Sequence, residues 1–151
     1  MDRKKFFKKL ASLIILIFLL NYGAVNLYWY SSIWYFDMIM HFLGGFWLSL
    51  FLIWLFSFKN SSLGIYSGID NELKGQIDWK LIIKIIFSVL LVGIIWEFYE
   101  IVVNDNFAKQ PFNALDTLSD IFFDLAGGVS ALFYLFFFLL KDAVSKKEIT
   151  V

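Results

Sequence analysis

Residues Asp116–Gly128 read D-T-L-S-D-I-F-F-D-L-A-G-G. The carboxylates Asp116, Asp120 and Asp124 recur every fourth residue and run on into Gly127, Gly128 and Ala131. A step of three or four residues keeps side chains on one face of an α-helix. The stretch therefore predicts a helix with an acidic stripe that continues into a small-residue stripe, with Phe, Ile and Leu on its other faces. At about 1.5 Å per residue, Asp124 lies about 12 Å along the helix from Asp116. In a membrane that depth is costly for a carboxylate and marks function.

Two other stretches repeat the pattern: F-D-M-I-M-H-F-L-G-G at Phe36–Gly45 and G-I-I-W-E-F-Y-E at Gly93–Glu100. Asp37, His41 and Gly44/Gly45 share one helical face, as do Gly93, Glu97 and Glu100. Small residues let membrane helices approach closely, so the three polar stripes are predicted to meet inside a bundle.

Composition agrees with a membrane setting. Of 151 residues, 60% are hydrophobic and 21% aromatic, with 19 Phe, and mean hydropathy is +0.74. A soluble domain of this size exposes more charge. The length suits one domain. Zero net charge argues against a nucleic-acid partner. The absence of Cys excludes disulfides, thiolate metal sites and a cysteine nucleophile.

Apolar runs of about 20 residues mark spans, here near residues 10–30, 37–58, 80–103 and 116–140. Basic residues before the first run also suit a cleaved signal peptide, but Tyr22-Gly23-Ala24 places a bulky residue where cleavage needs a small one. Residues 59–79 read as a soluble loop, with Asp78 as a cap for the third span, and 104–115 as a polar connector. Arg3, Lys4, Lys5, Lys8 and Lys9, the lysines from Lys59 to Lys84, and Lys141, Lys146 and Lys147 all fall on one side; Lys109 alone falls on the other. The positive-inside rule then predicts an all-α, four-helix transmembrane bundle with both termini and the long loop cytoplasmic. The expected location is the plasma (inner) membrane, in contact with the lipid bilayer.

With that topology Asp37, His41, Glu97, Glu100, Asp116, Asp120 and Asp124 gather at the outer face. Simpler roles exist for some of them. Asp116 and Asp37 suit a helix N-terminus, a lone His is often structural, and end-of-helix Trp and Tyr form an aromatic belt. Glu97 and Glu100 sit where the helix dipole disfavours anions, and Asp120 and Asp124 lie too far inside to cap. Six acids with His41 and Lys109 as counter-charges cannot all stay ionised in a low dielectric. The site must take up protons, a cation or a cationic substrate. Asp120, Asp124, Glu97 and His41 are the candidate metal ligands. Carboxylate oxygens with one imidazole favour Mg²⁺, Mn²⁺ or Ca²⁺ over Zn²⁺.

At these three stretches the sequence resembles the YjdF-like family of small bacterial inner-membrane proteins, a family without an assigned reaction, and more distantly the VanZ-like family. The residues that carry the resemblance are Asp37 and His41; Glu97 and Glu100; and Asp116, Thr117, Asp120, Asp124 and Gly127. Met38, Glu100 and Asp124 depart from the VanZ-like pattern towards a more acidic site, as does the lack of Arg between the third and fourth spans. The resemblance implies a multi-spanning protein with an outward-facing polar site. The residues themselves lead to an expected acid-lined site that binds a divalent cation or shares protons and serves hydrolysis or transfer on a lipid-linked or envelope substrate. Asp120, Asp124 and Glu97 are the expected ligands or shared-proton acids, with His41 or Glu100 as general base. The alternatives are a proton- or cation-coupled carrier or sensor, and a non-catalytic assembly or resistance factor.

Overall fold

The computed structural model describes residues 3–59, 79–103 and 113–149. The expected loop, the expected Asp78 cap and Lys109 lie outside these residues. The described chain is all-helical: α1 (Arg3–Asn26), α2 (Trp29–Ser32), α3 (Phe36–Lys59), α4 (Trp79–Val103) and α5 (Ala114–Ile149). Among the described residues there is no strand. α1, α3, α4 and α5 are each long and apolar enough to cross a membrane.

The boundaries follow local chemistry. The first helix stops at Asn26, short of Tyr30, because Tyr28 adopts the left-handed conformation (φ 58°, ψ 32°). Its carbonyl then accepts the hydroxyls of Ser31 and Ser32 at 3.0 and 2.6 Å, which seals the one-turn α2. Asn113 caps α5, its Oδ1 accepting the Leu115 N–H at 3.2 Å, so Asp116 lies in the first turn and is not the cap. α5 runs on to Ile149, past the expected end of the fourth span near residue 140, where Ala, Lys and Glu favour helix.

The four long helices run alternately up and down. α3 lies between α1 on one side and α4 and α5 on the other. At the end away from the acids, Phe6, Leu10, Leu50, Ile53, Leu81, Ile85, Val89, Ala131 and Leu135 form one buried apolar cluster. α1 is tied to α3 there by Trp47 Nε1 donating to the Leu10 carbonyl at 2.9 Å, and by Phe7 against Trp54 at 5.1 Å. Lys84 Nζ sits 4.2 Å above the Phe56 ring, tying α4 to α3.

α4 buries a stripe one residue wide: Leu81, Ile85, Val89, Gly93 and Glu97. Its other faces expose Ile83, Phe87, Ile95 and Phe98, each at least 58% accessible. A helix so apolar and so little buried has lipid as its solvent.

Above the apolar cluster lies a layer of small residues. A Cβ on Gly45 would strike the Asp124 backbone carbonyl, and one on Gly127 would strike the Phe42 carbonyl. These reciprocal contacts set α3 and α5 backbone to backbone. A Cβ on Gly93 would lie 2.6 Å from Asp124 Oδ2, so the absence of a side chain there makes room for that carboxylate against α4. Gly44 differs: nothing lies within 4 Å of its Cβ position. We expect Gly45→Ala to force α3 from α5 and lower stability by about 1–3 kcal/mol. Gly44→Ala should leave the melting temperature in detergent unchanged or slightly raised. Equal melting of the two variants would contradict the contact.

Candidate functional site

The polar layer follows directly on the glycines. His41 is one turn beyond Gly45 on α3, Glu97 one turn beyond Gly93 on α4, and Asp124 and Asp120 continue the Gly127/Gly128 face of α5. The three helices cross closely at the glycines, so these side chains converge. All four are buried: His41 is 7% accessible, Glu97 5%, Asp120 2% and Asp124 8%.

His41 is the hub. Its Nδ1 is 3.4 Å from Asp124 Oδ2. Its Nε2 is 3.8 Å from Glu97 Oε1 and 3.8 Å from Asp37 Oδ1. The tautomer that carries its hydrogen on Nδ1 donates to Asp124 and leaves the Nε2 lone pair facing the other acids. Glu97 Oε1 and Asp120 Oδ1 are fully buried and have no hydrogen-bond partner among the described residues. Buried carboxylate oxygens are ordinarily satisfied, and leaving a charged one unpaired costs several kcal/mol.

Two ligand-like groups share the histidine. His41, Glu97 and Asp120 form an inner set, and Asp37, His41 and Glu100 an outer, half-buried set. In each, the potential donor atoms lie within 4.8 Å of one another, a span that a cation with ligand distances of about 2.0–2.6 Å can bridge. These five residues, with Asp124 on the histidine's other nitrogen, bring six of the seven sequence-derived candidates around one point. The seventh, Asp116, is exposed at the start of α5 and belongs to neither set. The lysines whose side chains are described, Lys4, Lys5, Lys8, Lys9, Lys80 and Lys84, start their helices at the opposite end. Lys84 and Glu97 are separated by about 20 Å of helix.

Sequence reasoning assigned Tyr30 to the aromatic belt, yet it joins the site. It rests edge-on against Phe36 at 5.1 Å and donates its hydroxyl hydrogen to Asn21 Oδ1 at 2.6 Å. Partial burial, then the negative charges of Asp37 and Glu100, push its phenol up to about 12, so it remains a neutral donor. The turn at Tyr28 places it there, and no periodicity within the spans signals it. Tyr30, Asn21, Asp37, His41 and Asp124 all border one cavity of about 410 Å³.

No curated protein and no solved structure matches the chain. Residues 2–141 match the family described as predicted membrane protein (DUF2238). The match takes in every residue of the polar layer as well as the four apolar helices, and the chain belongs to this DUF2238 family of membrane proteins.

Proposed function

We propose that the polar layer is a divalent-cation centre, with His41 Nε2, Glu97 and Asp120 as its protein ligands. The observation that carries this reading is the pair of buried, unpartnered carboxylate oxygens, Glu97 Oε1 and Asp120 Oδ1, beside an imidazole within ligand spacing. A bound cation removes the cost of both orphaned oxygens at once. Asp124 takes the opposite ring nitrogen and orients the imidazole, the arrangement in which a carboxylate fixes the tautomer of a metal-bound histidine. One nitrogen with two carboxylates suits Mn²⁺ best among Mg²⁺, Mn²⁺ and Ca²⁺.

A cation held by these residues would supply Lewis-acid chemistry at a substrate oxygen or a water. Glu100, in the outer set, would accept the proton, and the class of chemistry we propose is metal-assisted hydrolysis or group transfer. The carrier alternative is disfavoured by the buried apolar cluster beneath the site, which offers an ion no polar path among the described residues; Ser49 is the one buried hydroxyl there. The likeness to the YjdF-like and VanZ-like proteins supports an outward-facing site and supplies no reaction.

Purified protein dialysed against Mn²⁺ should retain one ion per chain. Glu97→Gln and Asp120→Asn should weaken binding by about 100-fold or more, and Asp124→Asn by about 10–100-fold, as for loss of an orienting partner. Glu97→Gln and Asp120→Asn should melt no lower than the metal-free wild type, because each removes a buried charge on an oxygen without a hydrogen-bond partner among the described residues. Absence of Mn²⁺ from the wild type, or normal binding by both ligand variants, would overturn the assignment.

The outward orientation has its own test, because the chain lacks cysteine. Trp34 and Leu115, each 79% accessible at the site end, are replaced singly by Cys. A membrane-impermeant maleimide should label both in intact cells. Labelling only after lysis would place the site on the cytoplasmic side.

A further inference from the structure

The cavity of about 410 Å³ borders the polar layer at Asp124, His41 and Asp37, and Asp37 Oδ1 is 3.8 Å from the His41 Nε2 assigned to the cation. α3 forms the cavity floor, while Ile14, Phe18 and Asn21 of α1 face Val92 and Trp96 of α4 across it. Among the described residues no Cα of α1 comes within 8 Å of α4, so the cavity is a slot between two helices that never close over it. Its wall residues Phe18, Val92 and Trp96 are 64%, 46% and 54% accessible, which leaves the slot open towards the lipid.

The slot has polarity along its length. Asp37, His41, Asp124, Tyr30 and Asn21 stand at one end, and Leu48 and Val89 at the other. From Asp37 to Leu48 the floor extends about 16 Å. One leaflet of a bilayer whose hydrocarbon core is about 30 Å thick has that depth. The dimensions match one hydrocarbon chain lying along the slot with its headgroup at the acids. Among the described residues the walls contribute no Lys or Arg, so these walls recognise a headgroup phosphate through a cation.

We infer that the site takes a lipid phosphate from the surrounding leaflet, with one hydrocarbon chain lying in the α1–α4 slot and the phosphoryl oxygens on the bound cation. This rests on the cation-centre reading and adds the substrate class. A chain moving from lipid to an apolar slot gains little, because lipid tails are as apolar as the wall. The slot therefore acts by geometry: it sets the depth and direction from which the headgroup approaches the cation centre, on the side of Asp37 and His41. Gly44 lies on the floor with open space where its Cβ would be, which keeps the slot passable.

Gly44→Phe is the matched test, since the new ring enters the slot and not the α3–α5 contact. Binding of Mn²⁺, dodecyl phosphate, dodecyltrimethylammonium and inorganic phosphate is measured on the purified full-length protein, with Phe18→Trp as a second obstruction from the α1 wall. Mn²⁺-loaded wild type should bind dodecyl phosphate at least about tenfold more tightly than either dodecyltrimethylammonium or inorganic phosphate. Chelation should abolish that preference. Both variants should weaken dodecyl phosphate by about tenfold or more while changing Mn²⁺ affinity less than about twofold. Normal Mn²⁺ binding without this preference, or with dodecyl phosphate unaffected by both variants, overturns the inference and leaves the cation centre standing. Preference for the ammonium amphiphile, or a dimer that both variants dissociate, also overturns it. Failure to bind Mn²⁺ at all removes the centre itself.

Discussion

The rest of the structure depends on a backbone contact between α3 and α5. Gly45 lies against the carbonyl of Asp124, and Gly127 against the carbonyl of Phe42. Membrane helices gain no hydrophobic driving force from meeting each other, and close packing is what holds them. Two glycines facing two carbonyls give an approach that any side chain would prevent. The contact also fixes register: it sets His41 and Asp124, each about one turn from a contact glycine, side by side. A shift of α5 by one turn would carry Asp124 away from the imidazole and put Asp120 in its place.

Asp124 is where this scaffold becomes a site. Its backbone carbonyl packs on Gly45, its carboxylate lies in the space left by Gly93, and its Oδ2 faces His41 Nδ1 at 3.4 Å. One residue thus joins three helices and orients the only histidine in the chain. The opposite ring nitrogen is turned towards Glu97 and Asp37. Deep carboxylates around it are costly in a low dielectric, and the proposed cation is the group that offsets that cost. The apolar cluster beneath closes the bundle, which favours chemistry at one face over passage through it.

Much of this was legible because helices and membranes each impose a period. The four-residue repeat of Asp116, Asp120 and Asp124 and the matching steps at Asp37/His41 and Glu97/Glu100 placed the acids on shared faces. The length of the apolar runs placed them on spans. What escaped was whatever depends on which helix faces which. Gly44 and Gly45 are neighbours in the same stripe, yet one meets a carbonyl and the other borders a slot; a period of 3.6 cannot tell them apart. Asp116 shares the stripe of Asp120, but it sits at the helix entrance, where the bundle is open. The left-handed turn at Tyr28, which brings Tyr30 to the site, is set by local hydrogen bonds to Ser31 and Ser32. The gap between α1 and α4 is a property of the packing alone.

The central claim is that His41 ligates a cation through one ring nitrogen while Asp124 holds the other. Pulsed electron paramagnetic resonance of the Mn²⁺-loaded protein tests it most directly. With a single histidine in the chain, an imidazole-nitrogen coupling to Mn²⁺ has one source. The account predicts that coupling in the wild type and its loss in His41→Ala. A Mn²⁺ signal coupled only to oxygen ligands and water protons, unchanged in His41→Ala, would contradict it.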